Sequence, residues 1–394
     1  MVRSPGRRVL ANLTMSIGAI LIYSSVGGNA AVGSSATATG SMSDLPAIPT
    51  LNQQADAALN AMITVYWDPQ QQYFHKFSDG TGWTDFWWEA QLWDTVMDGV
   101  VRTQGANQTW RQLLDQVYDG QARRNPTFMN EFYDDEAWWA LASLRAYEIT
   151  KNPRYLENAQ SLWEDIRGGW SDDLGGGIWW RKDERRTKNA CINGPATILA
   201  ARLYKFTGDK DDLAQAERIY AWLRQTLLAD YGLVQDSIDR NGNIDGRTFT
   251  YNQGTFIGAA VALYQATGKA QYLADAQRVA NASIAALVDW NGILSESGNG
   301  DGGGFKGIFV RYLVWLIQAL PPSEDAARQR YVQFLVKNAT SVWENGRNAR
   351  GLFGSAWAGP PPAPVSRVES LTNASAVELL NLAALAVSLS GTTR

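Results

Sequence analysis

Two features of this sequence predict an all-α fold, an (α/α)6 toroid in which six outer helices surround six inner ones. The first is an internal repeat. Tyr147-Glu-Ile-Thr150, Tyr204-Lys-Phe-Thr207 and Tyr264-Gln-Ala-Thr267 are each followed by a sharp turn and a new apolar face opening at Leu156, Leu213 and Leu273. The tyrosines lie 57 and 60 residues apart, so the repeating unit is a helical hairpin. The second is an alternation in helix character, between segments apolar nearly all round and segments apolar on one face only.

In chain order, 52–66 is amphipathic and assigned to the outer ring, and 87–104 is apolar and assigned to the inner ring. The amphipathic segment 107–119 follows, then 136–150, whose Ala137-Trp-Trp-Ala-Leu-Ala-Ser-Leu144 leaves no polar face. Segment 153–167 is outer and 192–207 inner. In 211–228, Leu213, Ala216, Tyr220 and Leu223 share one face while Asp212, Gln215, Arg218 and Arg224 point away, the pattern of an outer helix. Then come 250–267 (inner), 270–288 (outer), 305–320 (inner), 323–343 (outer) and 370–388 (inner). No segment alternates as a strand over any length. Residues 44–390 are therefore expected to form one domain.

Residues 1–38 read as a secretory signal peptide and small-residue linker. Arg3, Arg7 and Arg8 precede the apolar stretch Val9–Tyr23, and small residues follow. That stretch is shorter than the ~20 residues a membrane helix needs. A secreted monomer without stable membrane insertion is expected. With 35 Lys+Arg against 39 Asp+Glu and no basic cluster, nucleic acid is not a partner. A single Cys and a single His exclude an internal disulfide and a multi-imidazole metal site, and nothing calls for a metal or cofactor. Chemistry falls to carboxylates, amides and 17 tryptophans.

The links after inner helices are short, whereas those before them (168–190, 229–249, 289–304, 344–369) are long and rich in Gly, Trp and polar residues. Inner helices of such a ring run parallel, so the long loops meet at their N-termini and frame a cleft. At one of those N-termini stands Glu131-Phe-Tyr133-Asp134-Asp135-Glu136, with Trp138-Trp139 following. Two readings are open for Asp134 and Asp135. They cap the helix and complement its dipole, or they are a catalytic pair whose like charges in a partly apolar cleft separate their pKa values, as glycoside hydrolysis requires.

Several further motifs bear on the choice. Tyr133-Asp-Asp-Glu-Ala-Trp-Trp139, Gly175-Gly-Gly-Ile-Trp-Trp180, Asn193-Gly-Pro195, Tyr251-Asn-Gln-Gly-Thr-Phe-Ile-Gly258 and Phe305-Lys-Gly-Ile-Phe-Val-Arg-Tyr-Leu313 together resemble glycoside hydrolase family 76 over roughly residues 50–390. The resemblance implies an endo-α-1,6-mannanase acting on α-mannan with retention, with Asp134 as nucleophile and Asp135 as acid/base. A cell-wall mannosyl transglycosylase and a non-catalytic glycan-binding toroid are the alternatives. Substrate contacts are expected from Trp88, Tyr133, Trp179, Asn252, Gln253, Asp301 and Lys306, with Arg311 either contacting substrate or balancing the acidic pair. Cys191 reads as a small packed residue and His75 as a loop residue.

Overall fold

A computed structural model describes residues 46–295, 298–363 and 367–391. The predicted signal segment 1–38 lies outside the described residues. Twelve α-helices occur among them: α1 (Ile48–Tyr66), α2 (Phe86–Arg102), α3 (Gln108–Arg124), α4 (Tyr133–Thr150), α5 (Pro153–Arg167), α6 (Ala190–Thr207), α7 (Lys210–Leu227), α8 (Thr250–Thr267), α9 (Ala270–Ala286), α10 (Gly302–Ala319), α11 (Asp325–Asn345) and α12 (Ser370–Gly391). The even-numbered helices pack in a closed cycle, α2 on α4, α4 on α6, α6 on α8, α8 on α10, α10 on α12 and α12 back on α2. The odd-numbered helices lie against them from outside. This is the predicted toroid. α12 is apolar enough to span a membrane, but 94% of its apolar window is buried in the ring, so its composition is that of a core helix.

The tyrosine repeat explains the short turns. The carbonyls of Tyr147, Tyr204 and Tyr264 accept the N–H of Lys151, Gly208 and Gly268, each at 2.8 Å, and those three residues have positive φ. This left-handed stop suits glycine; Lys151 adopts it at φ 62°. Thr150, Thr207 and Thr267 reinforce the stop by donating to the carbonyl four residues back. The same hydroxyls accept the N–H of Asn152, Asp209 and Lys269, which orients the chain into the next helix.

A second repeat, not evident from the sequence, organises the long loops. The fourth residue of an inner helix reaches back to clamp the returning arm of the preceding loop. Glu89 of α2 accepts the Phe74 N–H, Glu136 of α4 accepts that of Asn130 and Asn373 of α12 accepts that of Phe353. Asn193 of α6 both accepts from the Ile178 N–H and donates to its carbonyl, and Gln253 of α8 does the same to Val234. Each clamp meets the demand that buried backbone polar groups be paired. In α10 the fourth residue is Phe305, and Lys306 donates to the Leu294 carbonyl while Asn338 of α11 accepts the Leu294 N–H.

Short strands also appear within the loops: β1 (Trp67–Asp68), β2 (Tyr73–Phe74), β3 (Thr187–Asn189), β4 (Ser237–Asp239) and β5 (Ile244–Asp245). β3, β4 and β5 form one antiparallel sheet in that order, pairing Asn189 with Ser237 and Ser237 with Asp245. At two or three residues each, they are too short for an alternation to be legible in the sequence.

Candidate active site

The starts of α2, α4, α6, α8 and α10 converge on a cleft of about 800 Å³. α4 begins one residue before the acidic pair. Phe132 occupies its N-cap position without a side-chain cap, so Asp134 and Asp135 are the second and third residues of the helix. They are not caps, and both face the cleft.

The two carboxyl groups are held differently. The Asp134 Oδ2 accepts from the Cys191 thiol at 3.2 Å, while its Oδ1 is shielded from solvent and has no partner. Burial pushes the Asp134 pKa up to about 6, against the opposing pull of hydrogen bonds from Cys191 and the Trp180 indole. Asp135 accepts from Asn130 Nδ2 at 2.6 Å. Burial, then the charge of Asp134, push its pKa up to about 8, with Asp301 and Glu131 adding to the effect. The third acid of the run, Glu136, is fully buried on the other side of the helix. It serves as the loop clamp and pairs with Lys182 at 2.5 Å.

Backbone pairing brings distant residues to the pair. The Tyr133 N–H donates to the Trp180 carbonyl, and Phe132 bridges Arg181, which seats the Trp180 ring 4.9 Å from that of Phe132 at the cleft wall. The three-stranded sheet aligns the start of α6 with the start of β4: the Ala190 N–H donates to the Asp236 carbonyl, and Asp236 joins the lining beside Cys191. Asn252 donates to the Asp236 carboxylate at 3.1 Å. Opposite, Tyr251 and Phe305 stack at 3.9 Å with their planes 10° apart. Asp301 accepts from the indoles of Trp87 (3.0 Å) and Trp88 (2.8 Å).

Of the residues expected to contact substrate, only Asp301 lines the cleft. Trp88 is buried; its indole orients Asp301 while its neighbour Trp87 faces the opening. Tyr133 is buried, with the Lys182 ammonium 5.3 Å from its ring centre. Trp179 is buried, donates to Ser171 and carries the Lys188 ammonium over its ring, so Trp180 is the cleft indole. In that extended stretch successive side chains point to opposite sides, and the sequence does not say which side faces the cleft. Asn252 is buried and acts through Asp236, and Gln253 is a loop clamp. Lys306 is buried, donating to the Ser355 carbonyl at 2.6 Å. Arg311 balances Asp94 and Glu378 in the ring core rather than the Asp134/Asp135 pair. His75 stacks on Trp83 within the loop after β2, as expected of a loop residue.

Sequence reasoning missed Trp138, Asp236 and the contact of Cys191 with Asp134. The first is hidden within an apolar run; the others depend on the register of β3 with β4. Among the described residues, no three His, Cys, Asp or Glu side chains are grouped to hold a metal ion.

Comparison with known proteins agrees with this geometry. The family model described as Glycosyl hydrolase family 76 matches residues 50–388. The GH76A α-1,6-mannanase from Salegentibacter sp. HEL1_6 superposes with a TM-score of 0.80 at 37% identity, over 85% of this chain and 99% of that one. An inactive variant of that enzyme, with two adjacent aspartates changed to asparagine, was solved in complex with α-1,6-mannotriose, and it matches at 36% identity over the same shares with the same TM-score. The mannan endo-1,6-alpha-mannosidase DCW1 of Candida glabrata is 27% identical over 65% of this chain and 63% of its own length, so the match spans less than two thirds of that relative. With a family match across the whole ring and an acidic pair at the head of α4, this chain belongs to glycosyl hydrolase family 76.

Proposed function

We propose that the protein is a secreted, endo-acting α-1,6-mannanase that hydrolyses α-1,6-mannosidic bonds in mannan with retention of configuration. The observation that carries this reading is two adjacent carboxyl groups lining one aromatic cleft with different partners, Cys191 for Asp134 and Asn130 for Asp135; burial raises both pKa values, and the charge of Asp134 raises that of Asp135 further. Near neutral pH, Asp134 is mostly ionised and Asp135 mostly protonated. That is the division between nucleophile and acid that double displacement needs.

In the first step the ionised carboxylate of Asp134, which lines the cleft, attacks the anomeric carbon. The glycosidic C–O bond breaks, and Asp135 gives its proton to the departing oxygen. In the second, Asp135, now a carboxylate, takes a proton from water as that water attacks the anomeric carbon and frees Asp134. Cys191 donates to the Oδ2 of Asp134, while Trp87, Trp138 and Trp180 offer ring faces to sugar C–H groups. The adjacent aspartates altered in the inactive Salegentibacter variant, and the mannotriose bound there, support the same assignment.

Digestion of linear α-1,6-mannan by the purified chain, followed by proton NMR, tests the reading. Short oligomannosides released with initial α-configuration are expected. Longer rearranged chains would make sugar the acceptor and the protein a transglycosylase. No change in the polymer, with folding intact, would overturn the assignment.

A further inference from the structure

The loop that ends at Asp301 holds an indole that is not part of the cleft lining. Trp290 is 93% exposed, whereas the next most exposed tryptophans, Trp83 and Trp180, show 38% and 36%. An indole left in water is ordinarily carried by a loose segment, but this turn is tightly built. The Asp289 N–H donates to the Ile293 carbonyl (2.8 Å) and the Gly292 N–H to the Asp289 carbonyl (2.9 Å). The Asp289 carboxylate accepts from the N–H groups of Asn291 (2.8 Å) and Ile293 (2.9 Å). Gly292, at φ 75°, stands beside the end of the Lys337 side chain of α11, whose Nζ would lie 3.0 Å from a Cβ there. The ring is therefore presented on a fixed platform at the edge of α11.

Beside that platform runs a groove of about 650 Å³ along the C-terminal half of α11. Asn291, Lys337, Thr340 and Glu344 line it, over the buried side chains of Ile293 and Val336. Its helix face, from residue 333 to residue 344, is about 16 Å long at 1.5 Å per residue. The lining mixes an amide, a hydroxyl and opposite charges that cancel, so it suits a neutral ligand rich in hydroxyl groups. The apolar floor and the adjacent indole suit a ligand with a C–H face. A hexose chain has both. The groove belongs to the outer wall of the ring and shares no lining residue with the cleft, although one loop, 287–301, serves the two.

We propose that Trp290 and the α11 groove form a second glycan-binding site, outside the active cleft, that holds a distant stretch of the same α-mannan chain. This rests on the mannanase reading for the identity of the glycan. A chain held at the groove raises the local concentration of its other segments at the cleft, so the gain is confined to polymers long enough to reach both.

The experiment compares the full chain with Trp290→Ala and Thr340→Arg, the second filling the groove without touching the indole. Initial rates are measured on long α-1,6-mannan and on α-1,6-mannotetraose, and electrophoretic retardation in mannan-containing gels is measured in an Asp134→Asn/Asp135→Asn background. Both variants are expected to raise KM for the polymer about 3- to 10-fold, weaken retardation similarly, and leave mannotetraose rates and the melting temperature unchanged. Equal effects on polymer and tetramer, or retardation that ignores both changes, would overturn the second site while leaving the cleft assignment standing. If no mannan is cleaved yet retardation still depends on Trp290, the groove stands and the mannanase reading falls.

Discussion

At the residue scale, the proposed reaction rests on the difference between two neighbouring aspartates. The proposed double displacement needs Asp134 ionised and Asp135 protonated, so kcat/KM should fall as pH drops below about 6 and again as it rises above about 8. A pH–rate profile on mannan checks both limbs. Cys191 pulls the lower one down against burial. Its thiol donates to Oδ2 of Asp134, burial holds its pKa well above the ordinary thiol range, and it therefore remains a donor across the working pH. Removing a donor to the charged form raises a carboxyl pKa. Cys191→Ala should thus move the lower limb upward and reduce activity several-fold at pH 6 with less loss at pH 7, while Cys191→Ser restores the limb. Asp135, Asp236 and Tyr251 also face this thiol or its acceptor, so the shift is to be read against unchanged behaviour of the upper limb. An unshifted lower limb in Cys191→Ala would remove the thiol from the mechanism.

At the element scale, the inner helices do two tasks in their first turns. Side chains at the second and third positions of α4 face the cleft, and those at the fourth position of most inner helices secure a loop. Asn252-Gln253 reads as a polar pair fit for sugar hydroxyls, yet the structure spends both on scaffolding, because a loop crossing the ring leaves buried N–H and carbonyl groups to be paired. Gln253→Leu strands the Val234 N–H and carbonyl and should cost about 2–4 kcal/mol. Urea unfolding measures the loss. A variant as stable as the parent would show that water or another side chain takes over the clamp.

At the scale of the molecule, the ring closes around a buried ionic network. Arg145 reaches Asp94 and Asp98 (2.5 and 2.6 Å), and Arg311 reaches Asp94 and Glu378 (2.9 and 2.7 Å), joining α2, α4, α10 and α12. Burial pushes the Glu378 pKa up to about 8, against the pull of Arg311. Arg311→Met leaves two acids short of a partner and should destabilise the ring by about 3–5 kcal/mol, measured by denaturant unfolding. Adding Glu378→Gln should recover part of that loss. If the double variant is no better than the single one, Arg311 acts through packing rather than through charge.

Much of this was legible in the chain itself. Helix number, order and ring membership follow from local apolar periodicity and from the tyrosine–threonine stop, both of which act within one or two helical turns. The pair Asp134-Asp135 was legible for the same reason, because both carboxylates come from a single helix start. What the tertiary structure decided is which member of each ambiguous pair faces the cleft: Trp87 over Trp88, Trp180 over Trp179, Asp236 rather than Asn252. The first choice follows from how α2 is rotated in the ring, and the other two from strand register and loop pairing between segments tens of residues apart, where a shift of one residue would turn a side chain to the opposite side.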